Sequence, residues 1–111
     1  MAGETIVFFA KYSPLVTGTY YSDPYDVTGY KSVDCQTMNV AVINSATVSV
    51  QMQQSSDLIT WADVGSPMAP SAAATDTEAL SGTARYVRAV VTIGQPGATA
   101  VIWVKGVARE S

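Results

Sequence analysis

In residues 46–53 the side chains alternate without a break: Ala46, Val48, Val50 and Met52 fall on one face of an extended chain, and Thr47, Ser49, Gln51 and Gln53 on the other. A segment of this kind is a β-strand with one dry face and one wet face, so it requires neighbours to pair with and a second layer to bury its apolar side. The same period of two recurs wherever the chain is apolar, and Pro or Gly interrupts it at short intervals, which leaves little room for helix. The expected class is all-β. With 111 residues the chain suits one domain that can build an apolar core without metal or disulfides. The reading is therefore a single antiparallel β-sandwich over residues 1–111, with residues 1–11 as an N-terminal arm or edge strand.

Residues 6–12 form the first expected strand, ended by Ser13-Pro14 because proline lacks the donor a central strand needs. Residues 18–30 read as strand, turn and strand around Asp23-Pro24, with Tyr20, Tyr21, Tyr25 and Tyr30 able to pack on a core edge while keeping their hydroxyls wet. Two short runs, 31–36 and 38–43, lead through an Asn44-Ser45 turn into the strand at 46–53, and a Ser-Asp turn then precedes a short strand opened by Trp61. Residues 65–79, rich in small residues and carrying two prolines, read as a long loop. A terminal hairpin is expected from 85–93 and 98–107 around Gly94-Gln95-Pro96-Gly97, whose Pro-Gly pair suits the centre of a type II turn.

That last pair of strands is apolar on both faces. Val87, Ala89, Val91 and Ile93 oppose Tyr86 and Val90; Ala98, Ala100, Ile102 and Val104 oppose Val101, Trp103 and Val107. Such strands either lie centrally under a covering loop or are covered by another subunit. Tyr86, Val90, Val101, Trp103 and Val107 are therefore the candidate interface with another subunit. One aromatic side chain burying about 200 Å² contributes roughly 5 kcal/mol, against an association cost of about 4 to 15 kcal/mol. Trp103 alone cannot hold copies together; the whole face has to contribute.

Composition removes other functions. There is no histidine, so Ser-His, Cys-His and imidazole-metal chemistry is excluded. A net charge of −3, with six scattered basic residues, gives no stripe to neutralise a phosphate backbone, so nucleic acid is not an expected partner. No apolar run is long enough for a membrane span or a secretory leader, which points to synthesis in the cytoplasm. Cys35 stands alone and reads as a small buried hydrophobe. Carboxylates at Asp23 and Asp26, or Asp57 and Asp63, could supply oxygens to calcium, but as turn residues they are better explained by capping backbone, so no metal or other cofactor is expected. Trp61 reads as core in preference to a sugar-stacking platform.

Residues 46–64, ATVSVQMQQSSDLITWADV, taken with ARYVRAVVTI at 84–93, resemble the galactose-binding-like jelly roll of discoidin and coagulation-factor C-type domains. The resemblance covers about half the chain and implies a sandwich that binds or assembles. Small domains of this type without a leader are similar to structural proteins of tailed bacteriophages, including head decoration (cement) proteins. The expectation is a non-enzymatic virion protein that forms a homotrimer, binds the major capsid protein and stabilises the head shell. The alternative is a carbohydrate-binding module or tail-associated glycan-binding domain, stacking sugars on Tyr20, Tyr21, Tyr25 or Trp61.

Overall fold

The structure, a computed structural model, describes residues 3–110, the side chains of Lys11 and Tyr12 excepted. Its strands are β1 (Gly3–Val16), β2 (Gly18–Tyr21), β3 (Tyr25–Asp26), β4 (Ser32–Ile43), β5 (Thr47–Ser55), β6 (Ala62–Asp63), β7 (Ala74–Ser81), β8 (Tyr86–Gly94) and β9 (Thr99–Arg109). They form two antiparallel sheets, a four-stranded one ordered β1-β9-β4-β7 and a five-stranded one ordered β2-β8-β5-β6 with β3 also on β8. Since β2 and β3 lie end to end along β8, they act as one interrupted strand. Apart from the β5–β6 hairpin, each successive strand then crosses to the opposite sheet, and the last strand returns beside the first. This is the jelly-roll form of a β-sandwich.

The alternation at 46–53 is realised as expected. Val48, Val50 and Met52 face inward and are 5% exposed or less, opposite the equally buried Ile102 and Val104 of β9. Burying side chains of this size contributes roughly 1.5–3 kcal/mol each. Cys35 belongs to this core, and burial pushes its thiol up to about 12, so it remains an uncharged, apolar filler.

Four expectations need correction. Strand β1 runs through Pro14 to Val16, because among the described residues β1 is a sheet edge paired with β9 alone, and an edge tolerates the missing donor. The two runs at 31–36 and 38–43 are one strand, β4, whose register against β9 shifts between Asn39 and Ala41. The stretch 65–79 is not all loop. Met68 pairs with Val50 through two 2.8 Å backbone bonds and is fully buried, and from Ala74 the chain becomes β7. Asp76 and Glu78 of β7 accept the Ala69 and Ser66 N–H groups, and Gly65, at φ 74°, leaves no room for a Cβ beside Leu80.

The fourth correction matters most for function. Pro96-Gly97 does form the expected turn, with Gly97 at φ 68° and a bond from Ala98 N–H to Gln95 O, but β8 and β9 are not a hairpin. They belong to different sheets, and their inner faces close on each other. Asn44 and Ser45, both left-handed, make the parallel crossing from β4 to β5, and Asn44 Nδ2 ties the two crossings together by donating to Gly97 O at 3.0 Å.

Tyrosine hydroxyls lace the edge of the sandwich. Tyr20 donates to Val16 O at 2.8 Å, Tyr25 to Val7 O at 2.6 Å, and Tyr30 to Glu4 Oε2 at 2.7 Å, so one hydroxyl from each successive stretch anchors β1. Tyr25 also meets Phe8 edge-on at 5.3 Å.

The β5–β6 turn is held from within. Ser55 Oγ accepts from Asp57 and Leu58 N–H, and Asp57 Oδ1 accepts from Ile59 and Thr60 N–H at 2.9 Å. These bonds hold Leu58 at φ 67°, a conformation that bulky residues avoid, and leave Ile59 82% exposed at the tip. The backbone N–H groups of Thr60 and Ile59, followed by the Ser55 hydroxyl, hold the Asp57 carboxyl below its ordinary value. A depressed carboxylate supports the loop above its ordinary titration range and loses that effect as the pH falls through its folded value.

Two outcomes follow. Met68→Ala is expected to cost about 2–5 kcal/mol in urea unfolding, as a core residue would; a cost under about 0.5 kcal/mol, typical of a surface loop, contradicts the placement. Hydrogen exchange should show the Ile59 and Thr60 amides protected at neutral pH, and exposed both in Asp57→Ala and in the native protein once the pH has fallen through the carboxyl's folded value, which lies below the ordinary 3.8. Protection that ignores both changes removes the carboxylate from the loop's support.

Candidate functional site

Each sheet turns one face outward, and the strand register fixes what stands on it. Across the four-stranded sheet the outward rows run Val16–Thr99–Ile43, then Pro14–Val101–Ala41, then Trp103–Met38, then Val7–Lys105–Gln36–Thr77, then Thr5–Val107–Asp34–Ala79. One half of this face is almost wholly apolar, and Val16 and Ile43 at its end are 60% and 59% exposed. The other half is polar: Lys105 Nζ lies 4.5 Å from the Trp103 ring centre, and Arg109 Nε bonds Asp34 at 2.5 Å. A shallow groove of about 370 Å³ crosses that half between Lys105, Val107, Gln36 and Thr77.

Of the five expected interface residues, Val101, Trp103 and Val107 share this face, all half-buried. Tyr86 and Val90 stand on the outer face of the other sheet, because the turn between β8 and β9 crosses the sandwich. The five do not form one patch. The residues that complete the apolar patch, Pro14, Val16, Met38, Ala41 and Ile43, carry weak signals in the chain. Their adjacency to Val101 and Trp103 depends on the bulges in β1 and β4, which alternation cannot locate.

On the five-stranded sheet Arg88 is the centre. Its guanidinium carbon lies 4.7 Å from the Tyr21 ring centre and 4.2 Å from that of Trp61. Its Nε donates to Gln53 Oε1 at 2.9 Å, and Gln53 Nε2 in turn donates to Asp63 Oδ1 at 3.0 Å. Beside it Arg85 lies over Tyr86 at 5.1 Å and bonds Asp26 at 3.2 Å. The Asp26 carboxyl is lowered by the Thr28 hydroxyl and N–H and by Arg85, and Arg85 is raised by Asp26.

Trp61 is therefore not core, contrary to the sequence reading: it is half-buried on an outer face, packed against a cation. The expected stacking residues separate as well. Tyr20 and Tyr25 point their hydroxyls at β1, while Tyr21, 59% exposed, stands with Trp61 at Arg88. Arg88 was the missed residue, although it shares the parity of Tyr86 and Val90 along β8.

Three of the four calcium candidates, Asp26, Asp57 and Asp63, have protein partners. Asp26 bonds Thr28 and Arg85, Asp57 caps its own loop, and Asp63 holds Gln53. Among the described residues no three acidic or cysteine side chains converge on a common point.

No protein-family model matches the chain, and neither does any curated protein. Solved structures do. The SPBc2 prophage-derived protein YomS superposes with a TM-score of 0.57 at 9% identity, covering 96% of this chain and 91% of that one. Chains from the structures of infectious bursal disease virus superpose with TM-scores of 0.54 (Gx strain, 9% identity) and 0.53 (Gt strain, 7% identity), each over 97% of this chain. This chain spans 32% of the length of those viral chains. At such identities the likeness is one of fold: a β-sandwich shared with a prophage protein and with part of a virus structure.

Proposed function

We propose that this protein is a non-enzymatic structural component of a virus particle, a decoration protein of a bacteriophage head, which self-associates through the outer face of its four-stranded sheet. The observation that carries the reading is the apolar half of that face. Val16, Ile43, Pro14, Val101, Ala41, Trp103 and Met38 adjoin one another across three strands. A contiguous outward patch of this kind on a small domain marks a surface built to be covered. Covering it with a second copy removes apolar area from several side chains at once, which one tryptophan could not do against the cost of association. The folds shared with a prophage protein and a virus structure support the setting, and the virion is the corresponding location.

The mechanism is mass action. A protein that binds the assembled shell and not its separated subunits stabilises the shell in proportion to its occupancy. Major capsid protein is the partner this requires. A trimer is what the similarity to phage decoration proteins implies, and the polar half of the face, with Lys105, Asp34 and Arg109, supplies a rim that sets orientation.

The glycan-binding alternative has less support. Tyr20 and Tyr25 serve β1, and of the polar groups around Trp61 the Gln53 amide, Asp63 Oδ1 and Arg88 Nε are committed to one another, whereas sugar hydroxyls need both donors and acceptors left unengaged.

Light scattering at several concentrations tests the reading. The native protein is expected to have the mass of an oligomer, a trimer in this account. The double variant Val101→Glu, Trp103→Glu should be monomeric with its far-ultraviolet β spectrum retained and should fail to add to undecorated heads. A native protein that stays monomeric at about 100 μM, where interfaces with Kd near 1 μM are saturated, overturns self-association.

A further inference from the structure

The opposite face carries a second site. Arg88 stands between two aromatic rings, at 4.7 Å from Tyr21 and 4.2 Å from Trp61, with its Nε edge fixed by Gln53. Among the described residues nothing accepts a hydrogen bond from either Nη. A guanidinium held in this way has its rotation stopped and its remaining N–H fork preset. That geometry matches a carboxylate, which can take two parallel bonds from it. In the turn that leads into Trp61, Leu58 and Ile59 project from the backbone held by Ser55 and Asp57, 45% and 82% exposed.

We infer that this face docks a protein partner which presents a Glu or Asp side chain to Arg88 and aliphatic side chains to Leu58 and Ile59. Two observations choose a protein over an acidic sugar. The exposed aliphatic tip offers nothing to a hydroxylated ring. The polar groups nearest the rings are already used: both ends of the Gln53 amide are bonded, and the Gln51 amide nitrogen bonds the Met52, Val64 and Gly65 carbonyls. What is left is one cationic fork, two aromatic walls and an apolar tip. Trp, Tyr and Arg together are the residues that dominate binding energy at protein interfaces. The site lies on the sheet facing away from the self-association face and does not rest on that reading; a monomeric protein could still carry it.

The test uses proton–nitrogen correlation spectra of the full chain, following the Trp61 indole N–H and the Arg88 Nε–H. The probes are a capped Leu-Glu-Leu tripeptide, its Leu-Gln-Leu counterpart and galacturonic acid. The inference expects saturable shifts of both signals with the Glu peptide and binding at least about tenfold weaker for the Gln peptide. Arg88→Lys, which keeps the charge and loses the fork, should weaken the Glu peptide by about tenfold. Ile59→Ser, a change at a side chain exposed enough to leave folding intact, should weaken both peptides together. Equal response to the two peptides, no saturable shift with either, or tighter binding of galacturonic acid overturns it.

Discussion

The closure of β8 on β9 across the sandwich is the interaction on which the rest depends. Val87, Ala89, Val91 and Ile93 meet the layer formed by Ala100, Ile102 and Val104, and all are 1% exposed or less. Each of these strands is central in its own sheet, so each recruits neighbours on both sides: β1 and β4 flank β9, and β2, β3 and β5 flank β8. A strand that is central in a two-layer sandwich has its inner face dry by construction. Its outer face is free to be apolar only if something outside the layer can use it. The two outer faces of this protein resolve that freedom differently, one as an aliphatic and indole surface, the other as an arginine held between rings.

Much of this is legible in the amino-acid sequence. The inward faces of β5, β8 and β9, the class, the Asn44-Ser45 and Pro96-Gly97 turns and the buried character of Cys35 follow from alternation and turn chemistry, which act locally. Which sheet a strand joins is not local. The residues at 94–97 suit a turn whether it joins two paired strands or carries the chain from one layer to the other, so the expected hairpin and the observed crossing look alike in the chain. The same limit split the expected interface, since Tyr86 and Val90 share a strand face with Arg88 and not with Trp103. Met68 was obscured for a related reason: its burial comes from a bridge to Val50 across a segment of small residues and prolines that has no period of its own. Trp61 reads as core because the resembling family places a structural residue at that position, but a guanidinium at 4.2 Å lets an indole be satisfied at the surface.

Function follows from the division of labour between the two faces. In the account proposed here, the four-stranded sheet joins copies of the chain and the five-stranded sheet reaches a partner, so that one small sandwich links like to unlike. The tyrosine bonds to β1 contribute indirectly. By anchoring an edge strand at Glu4, Val7 and Val16, they keep Val16 and Pro14 in the plane of the apolar patch. The Asp57 turn does the same for the tip at Leu58 and Ile59, holding a strained conformation that exposes two aliphatic side chains on a rigid support.

The central claim is that the outer face of the four-stranded sheet, and not its counterpart, is covered when copies meet. Hydroxyl-radical footprinting across a dilution series reads both faces in one sample, with Met38 and Trp103 reporting on the first and Tyr21 and Trp61 on the second. The account predicts that oxidation of Met38 and Trp103 falls as concentration rises, while Tyr21 and Trp61 stay constant. Constant labelling of Met38 and Trp103 through the concentrations at which mass increases, or protection of Tyr21 and Trp61 in their place, would contradict it.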